Sequence, residues 1–115
     1  MAEEKPFPKN SDLVARVLSL GELVAYQDGS VVSRQIVGAP GGTITLFAFA
    51  KGQGLSEHTT PFGALVYILD GEAEVTISGK PLHLKQGETV IMPANQPHAL
   101  QAEQAFKMML VMIRS

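Results

Sequence analysis

Three histidines, His58, His83 and His98, carry the side chains of this 115-residue chain best suited to acid–base chemistry near neutral pH. The ordinary pKa of imidazole, about 6.5, lets the ring gain or lose a proton under those conditions. The chain has no cysteine, which excludes a disulfide framework, a cysteine-rich zinc site and a thiol nucleophile. His83 stands between Leu82 and Leu84, whose side chains would face inward on a strand, so we expect His83 at the surface or at an interface.

Two stretches surround the other two histidines. The first, GQGLSEHTTPFGALVYILDG, runs from Gly52 to Gly71, and the second, GETVIMPANQPH, runs from Gly87 to His98. They resemble the two motifs of the cupin family, in which a Gly is followed by His-x-His, a Glu and a closing Gly, and then by a Gly, a Pro, a short turn and a His. The resemblance, to small RmlC-like cupins, implies an all-β double-stranded β-helix, or jelly-roll barrel. It also implies three His and one Glu converging on a metal ion inside the barrel.

The chain departs from this family pattern at two of the four ligand positions. His58 and His98 stand at the first and last positions, whereas Thr60 replaces the second His and Ala64 replaces the Glu. Alanine cannot bind a metal, and a neutral Thr hydroxyl is a poor ligand. Asn95 replaces a family Gly, and Asn also accepts a left-handed backbone conformation.

Two interpretations of the His58 and His98 pair stay open. In one, the imidazoles hold a divalent transition metal (Fe, Mn, Ni, Zn or Cu), and water or substrate atoms complete the coordination shell. In the other, they are polar groups of a mostly apolar pocket and hydrogen-bond a ligand, a water or each other. The loss of two ligand positions favours the second interpretation.

We expect this pocket inside the barrel to bind a small molecule, because a concave apolar site with a few convergent polar groups suits one. The predicted polar groups are His58, Thr60, Tyr67 and His98, and the predicted apolar walls include Phe47, Phe49, Phe62 and Met92.

The elements that would position these residues are short strands. Turn signals every 8–12 residues or so separate about eight or nine runs, which is typical of a sandwich or barrel. Residues 72–78 alternate apolar and polar side chains, which predicts a strand with one face in the core. Asp28-Gly29 predicts a tight hairpin turn between residues 23–26 and 31–37. Residues 105–113 are apolar on both faces, so we expect burial on both sides, by the barrel within and by something else outside.

The N-terminal region divides the chain. We expect residues 1–10 to be a flexible arm and residues 11–115 to be a single cupin barrel domain. Ser11-Asp12 would cap a short helix with Leu13, Val14, Val17 and Leu18 on one face, while an extended lead-in fits equally well.

The composition limits which binding partners and which cellular location we expect. The formal net charge is −2 and no window clusters Lys and Arg, so nucleic acid is excluded as a main partner. The N-terminus does not read as a signal peptide, and no apolar stretch approaches the ~18 residues of a membrane span, so we expect a cytoplasmic protein. Charged residues make up only 17% of the chain, and this fraction together with the two-sided last strand predicts a homodimer.

Three functions fit these observations. The first is a small-molecule-binding cupin with an apolar pocket containing His58 and His98. The second is an enzyme, either a metal-dependent dioxygenase or isomerase with these two histidines as ligands, or a metal-free one with a His as general base. The third is a structural barrel whose interior is only core.

Overall fold

The computed structural model describes residues 10–114, and these residues are almost entirely β-structure. Two short 3₁₀ helices, Asn10–Leu13 and Leu20–Glu22, precede the strands. The strands are β1 (Val31–Ala39), β2 (Gly42–Phe49), β3 (Gly54–His58), β4 (Gly63–Asp70), β5 (Glu72–Ile77), β6 (Lys80–Lys85), β7 (Thr89–Met92), β8 (His98–Gln101) and β9 (Phe106–Ile113).

These strands form two antiparallel sheets. A five-stranded sheet has the order β1-β2-β9-β4-β7, and a four-stranded sheet has the order β3-β8-β5-β6. Most neighbours in these sheets are distant in sequence, as β9 between β2 and β4 illustrates. This architecture confirms the predicted all-β jelly-roll barrel.

The space between the sheets is filled by apolar side chains. Phe49 and Phe106 are fully buried and stack with ring centroids 4.5 Å apart. Val66 of the larger sheet and Val75 of the smaller sheet belong to the same buried cluster. The alternation predicted for residues 72–78 is present, since Ala73 and Val75 are buried beside more exposed neighbours. The period-two pattern therefore decides which face of each regular strand enters the core.

The outer face of the five-stranded sheet carries a second apolar cluster. Leu13, Leu23 and Val24, from the segment before β1, pack against Leu46 and Ala48 of β2. Burial of these side chains outside the barrel explains why β2 is apolar on both faces.

Two expectations for the N-terminal part are corrected by this packing. The Asp28-Gly29 turn is present, with a Gly29 φ of 69°, but residues 23–26 do not form a strand. They pack on the outer face of the sheet instead, where Leu23 and Val24 are removed from water against Leu46 and Ala48 of β2. The predicted helix is limited to the single 3₁₀ turn Asn10–Leu13.

The predicted arm, residues 1–10, lies outside the described residues except for Asn10. The Asn10 side chain donates a hydrogen bond to the carbonyl of Gln35 on the edge strand β1. Within residues 10–114, no helix has the length and apolar character that crossing a membrane requires.

Candidate ligand site at the barrel mouth

His58 reaches the inner face of the barrel through an irregularity in β3. Leu55 pairs with Leu100, and the next pair is His58 with His98, so three steps along β3 match two steps along β8. Regular alternation would place Leu55 and His58 on opposite faces. The extra residue of this bulge brings both side chains to the same face.

His98 lies behind His58 at the start of β8. It pairs with Ile77 of β5, and its side chain is only 4% exposed. His58, in contrast, is exposed at the end of β3. A molecule arriving from solvent therefore meets His58 first.

The two imidazoles contact each other directly. Their Nε2 atoms are 3.1 Å apart, and the rings meet edge to face with centroids 4.3 Å apart. His58 Nδ1 donates to the carbonyl of Ser56 at 2.8 Å, which leaves His58 Nε2 as an acceptor. His98 Nε2 is then the donor of the bond between the rings. His98 Nδ1 has only a longer contact, 3.3 Å, with the carbonyl of Gln96.

Burial keeps His98 neutral. The pKa of His98 is lowered mainly because burial disfavours its charged form, and the electrostatic interaction with His58 lowers it further. The carbonyl of Gln96 acts in the opposite direction but does not outweigh them.

The two altered ligand positions lie at the same end of the barrel. Thr60 Oγ1 donates to the carbonyl of Phe62 at 3.0 Å, and the Thr60 carbonyl accepts from Asn95 N at 2.7 Å. Asn95 has a φ of 64°, the left-handed conformation that Asn, like the family Gly, can accept at this position. Ala64 is buried on the inner face of β4 and pairs with Met92 and Met112. Apolar side chains thus surround the position where the family has a carboxylate.

His58 and His98 could supply two neighbouring ligands to a metal ion. Two imidazole nitrogens bound to one ion at about 2.0–2.1 Å lie roughly 2.8–3.4 Å apart for angles from a right angle to the tetrahedral angle. The separation of the Nε2 atoms of His58 and His98, 3.1 Å, lies within this range. Among residues 10–114, however, no group of three or more His, Cys, Asp or Glu side chains could hold a metal ion. Further ligands would have to come from water or from a bound molecule.

The predicted pocket residues are not all at this mouth. Phe49 is fully buried and belongs to the core, while Phe47 packs partly buried beside it with ring centroids 5.7 Å apart. Tyr67 alternates with Val66 and Ile68, which are fully buried on the inner face, so it lies on the outer face of β4. The sequence could not reveal this, because the run around Tyr67 is apolar on both faces. The interior is therefore more filled than expected, and the imidazole pair lies near its opening.

Sequence reasoning missed the contribution of Arg114 to this opening. Gly63 pairs with Ile113 and Ala64 pairs with Met112, so Phe62 and Arg114 occupy the next positions outward. The Arg114 guanidinium lies 5.2 Å from the centre of the Phe62 ring. No signal in the sequence identified it, because β9 is apolar on both faces and the position of Arg114 depends on the pairing of β9 with β4.

His83 lies away from this site, as expected. Its side chain is 56% exposed on the outer face of β6, and its Nε2 is 3.2 Å from a carboxylate oxygen of Glu72.

Comparisons with known proteins agree with the resemblance noted in the sequence. A family model described as "Cupin domain" matches residues 45–114. A conserved protein of unknown function from Streptococcus pyogenes is 36% identical with a TM-score of 0.84, and the match covers 100% of this chain and 96% of that protein. A cupin 2 conserved barrel domain protein from Leptotrichia buccalis is 43% identical with a TM-score of 0.80 over 82% of this chain. The match covers 46% of that protein, so this chain spans about half its length.

A third structure is also similar over the whole barrel. A cupin superfamily protein from Desulfitobacterium hafniense is 28% identical with a TM-score of 0.83, and the match covers 99% of this chain and 100% of that protein. No curated protein matches the chain.

Proposed function

The chain belongs to the cupin family, and from this premise we propose that it binds a small organic molecule at the barrel mouth, over the His58 and His98 pair. The observation that carries the proposal is the pairing of an exposed imidazole with a buried one. Two polar rings held against each other at the end of an apolar barrel are unusual as simple core residues. They give a ligand a directional contact at the edge of an apolar surface.

The two rings have different roles in this proposal. His58 contacts the ligand, because its ring is exposed at the end of β3. His98 positions His58, because its own ring is buried and its Nε2 faces that of His58 at 3.1 Å. Thr60 and Met92 form the surrounding wall.

A thermal-shift screen tests this function with two matched variants. Small organic acids, alcohols and amines are screened against the unmodified protein, His58→Ala and His83→Ala. We expect at least one compound to stabilise the unmodified protein and His83→Ala but not His58→Ala. Hits that stabilise His58→Ala equally, or a library without hits, would contradict binding at the pair.

A metal-dependent cupin enzyme of the dioxygenase or isomerase type is the second candidate, favoured by the 3.1 Å separation of the two Nε2 atoms. His58 and His98 would hold the ion, and it would supply Lewis acidity to a substrate that completes its shell. Binding would remove the proton from His98 Nε2. That proton would then reside on His98 Nδ1, where the carbonyl of Gln96 accepts it.

Elemental analysis distinguishes this candidate from the first. The protein is loaded separately with Mn, Fe, Ni, Zn and Cu, and its metal content is compared with that of His98→Ala and His83→Ala. One metal per chain that is lost only in His98→Ala supports the metal site. A 15N NMR spectrum that places the His98 proton on Nδ1 only in the loaded protein supports it independently.

We also propose that two copies associate through the uncovered half of the outer face. The N-terminal segment covers one half of the five-stranded sheet, and the other half holds an apolar groove of about 200 Å³ lined by Gly63, Ala64, Leu65, Ile91, Val111 and Ile113. Ile91 and Ile113 are 69% and 64% exposed. The groove lining has no charged side chain and continues the face that the chain already uses for its own packing, which favours a second copy as its partner.

A further inference from the structure

We infer that the molecule bound at the barrel mouth carries a carboxylate and that the Arg114 guanidinium binds this group. The inference rests on the proposed function, since it concerns the same opening, and it names the chemical class of the ligand. It follows from the position and orientation of one side chain and from the absence of a carboxylate paired with it among residues 10–114.

The position of Arg114 follows from the strand register. Ala64 and Met112 pair across β4 and β9, and both side chains belong to the interior. Side chains two residues apart on a strand share a face. Phe62 and Arg114, two residues from Ala64 and Met112, therefore extend the inner face beyond the last ladder pair. Phe62 also links this rim to the imidazole pair, since its carbonyl accepts from Thr60 in the loop that follows His58.

The orientation of the guanidinium is restricted before any ligand binds. The Arg114 backbone N–H donates to the carbonyl of Gly41 at 2.9 Å, which anchors the chain at this residue. The guanidinium carbon lies over the Phe62 ring, 5.2 Å from its centre. A guanidinium that contacts a ring face can keep its edge free, and that edge matches the two oxygens of a carboxylate. A preorganised group loses less entropy on binding than a free surface side chain does.

The charge of the mouth favours an anion. No carboxylate among residues 10–114 forms an ion pair with Arg114. The family position for a carboxylate is Ala64, which lies among methionine side chains. Glu57, beside His58, is exposed, so water and salt screen its charge. Within the described part of the chain, the Arg114 guanidinium at the inner rim therefore has no carboxylate paired with it.

Three probes of similar shape but different charge test the inference. Benzoate, benzyl alcohol and benzylamine are titrated into isotope-labelled protein, and NMR shifts are followed at the side chains of His58, Phe62 and Arg114. We expect benzoate to shift these signals and the other two probes to bind at least about tenfold more weakly, a difference of ~1.4 kcal/mol. Raising the salt concentration should weaken benzoate binding.

Variants of two arginines provide the control. Arg114→Gln should weaken benzoate binding at least about tenfold, and Arg114→Lys should lie between, because it keeps the charge and loses the two-point contact. Arg16→Gln, which removes an exposed arginine of the N-terminal segment, should leave binding unchanged.

The outcomes separate this inference from the proposed function. Equal affinity for benzyl alcohol or benzylamine, or unchanged benzoate affinity in Arg114→Gln, would overturn the carboxylate assignment. Absence of benzoate shifts at tens of millimolar would overturn it as well. If a neutral or cationic compound still binds and requires His58, the proposed function stands while the inference fails.

Discussion

His98 is a buried titratable side chain, and its burial makes the stability of the barrel dependent on pH. Its pKa in the folded protein is lowered, so the unfolded chain, with a His pKa near 6.5, takes up more protons on acidification. The contribution of His98 to stability is therefore complete above about pH 6.5 and is lost as the pH falls toward the folded pKa. We expect the free energy of unfolding, measured with urea between pH 8 and pH 5, to decrease in this window.

Matched histidine variants show whether His98 causes this pH dependence of stability. His98→Gln should flatten the decrease between pH 6.5 and pH 5, because glutamine does not titrate. His83→Gln, at the exposed histidine of β6, should keep the pH profile of the unmodified protein. An unchanged slope in His98→Gln would mean that another group causes the acid sensitivity.

The variant Ala64→Glu tests whether a carboxylate at the family's Glu position would face the imidazole pair. Ala64→Glu places a charge among Met92 and Met112, so without metal we expect the free energy of unfolding to fall by roughly 1–3 kcal/mol. If the side chain at this position faces the imidazole pair, added Zn or Mn should restore part of this loss by completing a three-ligand site. Thermal unfolding with and without metal measures both effects.

An exposed alanine supplies the control for this substitution. Ala25→Glu lies in the N-terminal segment, where a carboxylate is solvated, and should change neither stability nor metal response. Equal stabilisation of both variants by metal would show that the ion binds elsewhere.

At the level of single residues, the sequence predicted what motif spacing determines. The spacing identified His58 and His98 as a pair, and the structure brings them together. It did not predict that Tyr67 faces outward, because both faces of β4 are apolar. It also did not identify Arg114, whose role depends on pairing with a distant strand.

At the level of elements, β3 shows where periodicity fails. Strict alternation from Leu55 would turn His58 toward solvent, and only the bulge before His58 returns it to the inner face. A bulge is a relation between two strands, so it leaves little trace in one of them. The regular alternation of β5, in contrast, follows from its own residues and was predicted from them.

The N-terminal segment shows a different limit. Its apolar residues predicted a strand of a hairpin, but they pack as an irregular segment on the outer face of the sheet. The turn at Asp28-Gly29 was predicted correctly. Whether residues 23–26 pair as a strand or pack on the sheet is decided by tertiary packing, which the local sequence does not show.

Polar contacts hold this segment on the sheet. The Tyr26 hydroxyl donates to the Asp70 carboxylate, and Lys107 Nζ lies over the Tyr26 ring and donates to the carbonyl of Gly21 at 2.6 Å. Burial, followed by the hydrogen bond to Asp70 and its charge, raises the pKa of Tyr26. The phenol therefore stays protonated and keeps donating at all physiological pH values.

Removing this hydroxyl should loosen the segment locally. We expect Tyr26→Phe to lower the free energy of unfolding by about 0.5–1 kcal/mol, since the contact is partly exposed. Amide exchange should accelerate mainly around Leu23 and Val24, whose side chains the segment buries. Tyr67→Phe, at the other tyrosine of the chain, should not change exchange there. Uniformly faster exchange across the barrel in Tyr26→Phe would argue against a local role.

At the level of the whole molecule, a half-covered sheet explains why the last strand is apolar on both faces. The inner residues of β9 join the core, and Met109 on its outer face packs with the N-terminal cluster. Val111 and Ile113, further along the same face, line the uncovered groove. The sequence predicted that β9 needs cover on two sides, but the division between the chain's own segment and a partner is visible only in the fold.

The proposed dimer can be tested where the groove is most exposed. Ile91 projects from the edge strand β7 and is 69% exposed, so Ile91→Lys should not disturb the core of a single chain. In a dimer it would bury an unpaired ammonium, and we expect the dissociation constant to rise at least about tenfold. Sedimentation at several concentrations measures this change.

Val17→Lys, at a fully exposed valine outside the groove, should leave the dimer intact. Equal weakening by both variants would indicate a different surface, and a monomeric unmodified protein at micromolar concentration would exclude the dimer altogether.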